Sequence, residues 1–266
     1  MMRLRVGRIS ALNMYPVYHG LEAAHAPTLD FTDGVPTTLN RAVLEGRLDV
    51  SAMSSIAYAR NADRLTLLPV ASITAAGAVD SIQLLSRVPL EEVRTVAVTP
   101  HSATSVALLR ILLGPDVPPF EVLAEPPARA LERVDGVLLI GDEALQALRE
   151  PFARHRTDLG ERWHALTGRP MVFAVWAARA ETAQTRPDAL RGLADLLRDA
   201  RASYAADPEA VVAAAGRRFP FPVDFIRDYL GRLSYAFGPA ERAGLREFLE
   251  RARAIGELAD VPRLAA

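Results

Sequence analysis

A turn rich in hydroxyl groups is the first feature of the sequence with the chemistry of a binding site. Segment 99–105 follows a predicted strand and leads into a strongly apolar predicted helix. Backbone N–H groups at a helix start bind anions, and neighbouring hydroxyls add donors without a fixed positive charge. One hydroxyl would suffice for a helix cap, whereas this turn carries four, which favours a ligand site. The residues that we expect to contact a ligand here are Thr99, His101, Ser102, Ala103 and Thr104.

Other loops at predicted strand ends also carry polar residues. Asn13 follows the first strand and can both donate and accept hydrogen bonds, although a turn-forming asparagine shortly before a proline would look the same. Ser54 and Ser55 begin a predicted helix, where capping is the simpler explanation. Ser81 opens a further strand. Asp142 directly follows a buried strand, so it is a candidate base, and a helix N-cap explains it equally well.

The composition excludes several kinds of chemistry. All 31 basic residues are arginine, so a lysine Schiff base and lysine-bound pyridoxal phosphate are excluded. The chain has no cysteine and therefore no thiolate nucleophile, disulfide or cysteine metal cluster. The five histidines are not spaced to place two ligands on one helix face, so we expect no metal site. Glycine-rich nucleotide-binding motifs and the Gly-x-Ser-x-Gly elbow of serine hydrolases are absent as well.

The elements that position these loops alternate between strands and helices through the first two thirds of the chain. Strands are predicted over 3–9, 29–32, 48–51, 65–73, 81–86, 95–98, 120–123, 136–140 and 171–177. The clearest helices between them are predicted over 17–23, 36–45, 54–60 and 106–113, and only helical spacing follows residue 180. This pattern predicts an α/β protein with mixed, mainly parallel sheets flanked by helices and a helical C-terminal segment.

The strands fall into two groups, which predicts two lobes. Strands near residues 86 and 174 are placed to cross between the groups. We therefore assign residues 1–87 and 176–266 to a discontinuous first lobe and residues 88–175 to a second. Ligands of open α/β sheets bind at the carboxyl ends of strands, where the polar loops lie.

Charge and hydropathy narrow the range of partners. The formal net charge is −1 with no block of like charge, whereas nucleic-acid-binding proteins show a basic face or tail. The apolar runs are far shorter than the roughly 20 residues of a membrane-spanning helix. The N-terminus lacks the pattern of a secretory signal. We expect a cytoplasmic protein that binds neither nucleic acid nor membrane, and the sequence carries no indication of its oligomeric state.

The same loops resemble those of the chorismate dehydratase family, which acts in the futalosine pathway of menaquinone biosynthesis. The resemblance runs in the expected order from the N-terminus to about Trp176, and the helical remainder carries little signature. The segments that carry it are GRISALN at 7–13, PVYHGLE at 16–22, LDVSAMSSIAYAR at 48–60, TPHSATSVALL at 99–109, LIGDEAL at 139–145 and DLGERW at 158–163.

The resemblance implies both a fold and a reaction. The fold would be that of type II periplasmic binding proteins, with two α/β lobes around a cleft. The reaction would be loss of water from chorismate to give 3-[(1-carboxyvinyl)oxy]benzoate, without a cofactor. Chorismate carries two carboxylates and one hydroxyl, which suits the turn at 99–105. On this interpretation the turn binds a carboxylate, and Asn13, Ser54, Ser55 and Ser81 form the opposite wall.

The resemblance leaves two candidates for the base. The ring C–H at the enolpyruvyl ether loses a proton and the neighbouring hydroxyl leaves as water, so the protein must chiefly orient the substrate. Either Asp142 takes the proton, or the substrate's own enolpyruvyl carboxylate does so while Asn13 and Ser81 hold it. We favour the second, because Asn13 and Ser81 can position a substrate but hardly deprotonate carbon. These three residues are the candidate catalytic residues.

Two other functions are compatible with the same features. A non-catalytic solute-binding protein of this fold would hold a small carboxylate, although such proteins normally carry an export signal. The related 1,4-dihydroxy-6-naphthoate synthase acts in the same pathway. The Ser-Ala-Thr-Ser turn and the Leu-Ile-Gly-Asp-Glu-Ala run fit the dehydratase better.

Overall fold

The strands form two mixed sheets. The structure, a computed structural model, describes residues 3–25, 28–114 and 119–264. The strands in these ranges are β1 (Leu4–Ile9), β2 (Leu29–Gly34), β3 (Val50–Ser54), β4 (Leu65–Ala75), β5 (Ile82–Ser86), β6 (Val96–Val98), β7 (Glu121–Val122), β8 (Gly136–Ile140), β9 (His155–Asp158), β10 (Met171–Arg179) and β11 (Leu233–Ser234). The strand order is β11-β4-β10-β3-β1-β2 in the first sheet and β7-β6-β8-β5-β9 in the second.

Helices connect the strands and make up most of the C-terminal third. They are α1 (Tyr15–His25), α2 (Pro36–Leu44), α3 (Ser55–Arg60), α4 (Ala103–Leu113), α5 (Pro127–Ala130), α6 (Gly141–Ala147), α7 (Leu159–Thr167), α8 (Ala180–Thr185), α9 (Pro187–Ala206), α10 (Pro208–Gly216), α11 (Val223–Arg232) and α12 (Pro239–Ala254). Proline begins α2, α9, α10 and α12, where its missing N–H costs nothing. None of the helices in the described ranges is long and apolar enough to cross a bilayer.

Parallel and antiparallel pairs have different places in the sheets. β1 pairs in parallel with β2 and β3, and β6 pairs in parallel with β7 and β8. The strands next to the crossings between the sheets pair antiparallel: β10 with β3 and β4, and β5 with β8 and β9. The loops after β1, β3, β6 and β8 can therefore converge between the two sheets.

Alternation along β5 shows how the second sheet is covered on both faces. Leu84 and Leu85 are both fully buried, but Leu84 belongs to the large apolar core that reaches both sheets. Leu85 belongs to a smaller cluster with Val137 and Leu139 of β8 on the opposite face. Successive side chains of a strand point to opposite faces, so two apolar layers enclose this sheet.

Several strands and helices begin or end at residues other than those predicted. β3 covers 50–54 rather than 48–51, because its pairing with β10 continues to Ser54 opposite Ala174. α1 and α4 begin earlier than predicted, so half of the hydroxyl-rich turn is the first turn of α4. β11 interrupts the C-terminal segment, which was expected to be purely helical, and pairs with the end of β4.

The two strands expected to cross between the lobes belong wholly to one sheet each. β5 lies in the second sheet, although its residues fall within the range 1–87 assigned to the first lobe. All of β10 lies in the first sheet, although its first residues precede the predicted boundary at 175. The division into a first lobe of 1–87 and 176–266 and a second of 88–175 itself stays a prediction.

One buried carboxylate holds the first crossing between the sheets. Asp158 accepts the backbone N–H of Val79 at 3.0 Å and of Asp80 at 2.6 Å. It also accepts the Gln83 amide at 2.8 Å and caps α7 through the N–H of Glu161 at 3.0 Å. The turn from β4 into β5 is therefore fixed to the start of α7.

We expect Asp158→Ala to lower the free energy of unfolding by at least about 3 kcal/mol, because it leaves several buried donors without an acceptor. Urea denaturation measures the change. The control is Asp188→Ala, which removes an exposed carboxylate from α9 and should cost at most about 0.5 kcal/mol. Equal, small losses in both variants would contradict this account of the crossing.

Candidate active site

A cavity of about 320 Å³ lies between the two sheets, at the carboxyl ends of β1, β3, β6 and β8. Sites for small ligands typically begin at about this size. Eight of the ten predicted site residues line it: Asn13, Ser54, Ser81, Thr99, His101, Ser102, Thr104 and Asp142. Ser55 and Ala103 do not. The loops chosen from the sequence therefore converge, although they are up to 129 residues apart in the chain (142 − 13).

Ser54 and Ser55 are adjacent and chemically identical, but their hydroxyls lie in different surroundings. Ser54 precedes α3 but makes no capping hydrogen bond, so the expected cap is not formed. Its buried hydroxyl has no partner among the described residues and faces the cavity. Ser55 is fully buried and donates to the carbonyl of Val172 at 2.6 Å. The hydroxyl of Ser55 is thus directed to the sheet and away from the cavity, and a contact between Ser55 and a ligand stays a prediction.

The hydroxyl-rich turn combines capping with an open helix N-terminus. Ser102 is the N-cap of α4, accepts the N–H of Ser105 at 3.2 Å and donates to its hydroxyl. The Thr104 hydroxyl accepts the N–H of Ile56 at 3.1 Å, which joins α4 to α3. The first N–H groups of a helix have no intrahelical acceptor. Those of Ala103 and Thr104 are unpartnered in the part of the chain that is described, and Thr104 lines the cavity.

Asn13 is fixed through its backbone and leaves its side-chain oxygen free. It lies in a 3₁₀ turn over Leu12–Met14, directly after β1. The hydroxyl of Tyr235 donates to the Asn13 carbonyl at 2.9 Å, and the preceding N–H, of Leu12, is bound from the other side of the cavity. The Asn13 Oδ1 atom is buried and has no partner among the described residues. An unpaired buried amide oxygen of this kind is free to accept from a ligand hydroxyl.

Asp142 connects the two walls of the cavity. It lies in the first turn of α6, whose N-cap is Ile140, so the alternative of a capping aspartate is wrong. Its Oδ1 atom instead accepts the N–H of Leu12 at 3.0 Å. Burial raises the pKa of this carboxyl above its ordinary value, and the bond from Leu12 offsets part of the rise. The other oxygen of the carboxyl remains for a ligand or a proton.

Ser81 lies directly before β5, in the connection between the two sheets. Its N–H donates to the Val79 carbonyl at 2.6 Å, and its carbonyl accepts the N–H of Gly141 at 2.7 Å. The residue is 1 % exposed, yet it borders the cavity. Both of its backbone groups are therefore fixed by the crossing and by the start of α6.

The cavity offers neutral donors to an anion. Among the described residues that line it there is no arginine, and its carboxylates are Asp142 and Glu143. His101 lines the cavity at an exposed position near solvent. A carboxylate would thus be held by helix N–H groups, hydroxyls and amides, which orient it without a salt bridge.

The sequence alone did not reveal the apolar wall of the cavity or the residues that lie behind its polar wall. Phe173 is buried and lines the cavity together with Ile9 and Ile140. Tyr235 lies in the segment after residue 180, which carries no motif. Its separation of 222 residues from Asn13 leaves no local signal that could have revealed the contact.

Comparisons with known proteins agree with this architecture. A family model described as menaquinone biosynthesis matches residues 4–254. A chorismate dehydratase from Thermus thermophilus is 33% identical over 259 residues, covering 90% of this chain and 91% of its own. One from Campylobacter jejuni is 28% identical over 173 residues, covering 63% of this chain and 64% of its own.

The solved structures establish the fold. A Candida albicans gene product, described as having the generic periplasmic binding protein structural fold, superposes with a TM-score of 0.71 at 11% identity. The alignment covers 98% of this chain and 92% of that one. The expected two-sheet α/β fold of the periplasmic-binding-protein type is therefore confirmed.

The raised pKa of Asp142 predicts a specific pH dependence of stability. Burial raises the pKa of this carboxyl above its ordinary value of 3.8 in the folded protein, so the contribution of Asp142 to stability is lost as the pH rises from 3.8 through the raised pKa. Asp142→Asn keeps an oxygen for the Leu12 N–H and cannot ionise. We expect the unfolding free energy of the variant, relative to wild type, to increase between about pH 4 and about pH 7. A pH-independent difference in urea denaturation would contradict this.

Proposed function

The chain belongs to the menaquinone biosynthesis family, and from that premise we propose that it is a chorismate dehydratase. The reaction is the elimination of water from chorismate to give 3-[(1-carboxyvinyl)oxy]benzoate. The observation that carries the proposal is the convergence of Asn13, Ser81 and the open N-terminus of α4 on one cavity. The likeness to the Thermus thermophilus enzyme over nearly the whole chain supports it. As a biosynthetic enzyme, the protein would act in the cytoplasm.

The ring carboxylate of chorismate fits the N-terminus of α4. The unpartnered N–H groups there carry partial positive charge, and Ser102 and Thr104 border the same point. The apolar wall, with Phe173, matches the diene ring. This arrangement holds the substrate by one end and leaves the carbon that bears the ether directed toward Asn13 and Ser81.

The chemistry then needs orientation more than a strong protein base. The substrate's enolpyruvyl carboxylate takes the proton from the ring carbon that carries the ether, and the electron pair of that C–H bond enters the ring. The neighbouring C–O bond breaks, the hydroxyl takes up a proton and leaves as water, and the ring becomes aromatic. Asn13 and Ser81 hold the carboxylate and the hydroxyl in place through hydrogen bonds.

Asp142 is assigned the role of a clamp rather than that of the base. One of its oxygens is already bound to the N–H of Leu12, across the cavity and directly before Asn13. A negative charge there also repels a dianionic substrate, which favours the protonated or hydrogen-bonded carboxyl. The residue thus fixes the position of Asn13 relative to α6.

The first test is incubation of the purified protein with chorismate. We expect the absorbance of the diene to be replaced by that of an aromatic ring, with a product smaller by one water in mass. Chorismate binding without a spectral change would identify a solute-binding protein. A product formed only from a different precursor would indicate the naphthoate synthase, and either result would refute the proposal.

The second test uses variants in the cavity. Asn13→Ala and Ser81→Ala should each lower kcat at least about 100-fold, because each removes a group that orients the reacting atoms. The control is Ser203→Ala, an exposed serine on α9, which should keep kcat within about twofold. Near-normal rates in the two cavity variants would mean that the reaction occurs elsewhere.

Asp142→Asn distinguishes the two candidates for the base. If the substrate supplies the base, the variant should retain turnover within about tenfold of wild type, because the amide oxygen still accepts the Leu12 N–H. Loss of turnover by a larger factor, with unchanged chorismate binding by calorimetry, would assign the proton transfer to Asp142.

A further inference from the structure

Helix α11 contacts the turn that carries Ser81 through two side chains on one face. Tyr229 and Arg232 are three residues apart, so they project from the same side of the helix. The Arg232 guanidinium contacts the Asp80 carboxylate at 3.0 Å. Asp80 has a φ of +55°, a left-handed conformation that is costly for a residue with a side chain. The contact to α11 helps to hold this strained residue directly before Ser81.

The hydroxyl of Tyr229 is buried and unsatisfied. The residue is 1 % exposed, and no partner for its hydroxyl is found among the described residues. Burial raises the pKa of Tyr229, whereas the nearby Ser81 hydroxyl lowers it. Because Tyr229 lies on the face of α11 whose Arg232 contacts Asp80, its hydroxyl is buried beside the turn that carries Ser81, and it forms no hydrogen bond among the described residues. A buried hydroxyl without a partner is unfavourable, and phenylalanine would fill the same space without that cost.

A second tyrosine of the C-terminal segment, Tyr235, is hydrogen-bonded to another candidate catalytic residue. Tyr235 follows α11 and donates from its hydroxyl to the Asn13 carbonyl at 2.9 Å. The C-terminal segment therefore contacts Asn13 and the turn that carries Ser81, two of the three candidate catalytic residues. The hydroxyl of Tyr235 forms a hydrogen bond, whereas that of Tyr229 forms none among the described residues.

We propose that Tyr229 is a positioning residue whose hydroxyl donates to Ser81 Oγ when a ligand fills the cavity. A serine hydroxyl has one proton and two acceptor sites. If Tyr229 occupies one acceptor site, the Ser81 proton is directed to the substrate, and the bond from Tyr229 makes it a stronger donor. This inference rests on the proposed dehydratase function, and it assigns to the helical C-terminal segment a role in the reaction.

The kinetic test is Tyr229→Phe, which removes one oxygen and keeps the ring. We expect kcat to fall about tenfold while KM stays within about twofold, because the hydrogen bond is made in the reacting complex. The matched control is Tyr204→Phe, whose ring packs edge-to-face on Tyr235 at 5.5 Å without contacting the cavity. The control should retain wild-type kcat.

Two further measurements separate positioning from a structural effect. In the Ser81→Ala background, Tyr229→Phe should change kcat by less than about twofold, since the partner is gone. The melting temperature of ligand-free Tyr229→Phe should equal or exceed that of wild type, and the product should raise it less than it raises that of wild type.

Different results would overturn the role of Tyr229 and the dehydratase function on which that role rests. Wild-type kcat in Tyr229→Phe, or the same tenfold loss in the Ser81→Ala background, would overturn the role of Tyr229 while chorismate turnover by the wild type stands. Absence of turnover in the wild type would refute the dehydratase function and the proposed role together.

Discussion

The arrangement of the site depends on the hydrogen bonds that the carboxylate of Asp158 accepts. It lies where the chain first passes between the two sheets and binds the turn at 79–80, the side chain of Gln83 and the start of α7. The close approach requires a glycine as well, because a Cβ on Gly160 would lie 2.6 Å from the carbonyl oxygen of Gly77. This set of hydrogen bonds holds the connection between β4 and β5. Ser81 therefore has a fixed position between the two sheets.

Contacts across the cavity complete the arrangement. Asp142 at the start of α6 accepts the N–H of Leu12, and Thr104 at the start of α4 accepts the N–H of Ile56, so segments that follow strands of the second sheet are hydrogen-bonded to segments that follow strands of the first. Away from the cavity, Glu257 accepts from both Arg60 of α3 and Arg110 of α4. These bonds fix the width of the cavity. The hydroxyl, amide and backbone N–H groups that line the cavity suit a reaction that is driven by aromatisation and needs a held substrate.

Much of the fold and of the cavity lining was predictable from the sequence, because the alternation of apolar residues in strands and the residue types of turns are local signals. The loops after β1, β3, β6 and β8 were identified from it, and they converge. The choice between Ser54 and Ser55 was not predictable, since it depends on how far β3 pairs with β10. The role of Asp142 was missed because a residue in the first turn of a helix resembles a cap until its partner, 130 residues away, is known. Tyr229 and Tyr235 gave no signal, because their importance lies entirely in long-range contacts.

The central claim is that one cavity holds chorismate with its ring carboxylate at the start of α4 and its reacting carbon at Asn13 and Ser81. The most direct measurement is a crystal structure of the protein with 3-[(1-carboxyvinyl)oxy]benzoate bound. The account predicts the ring carboxylate within hydrogen-bond distance of the Thr104 N–H, and the ether side of the ring next to the Asn13 amide and the Ser81 hydroxyl. Product bound outside this cavity, or with its ring carboxylate at Asn13 and the ether at α4, would contradict it.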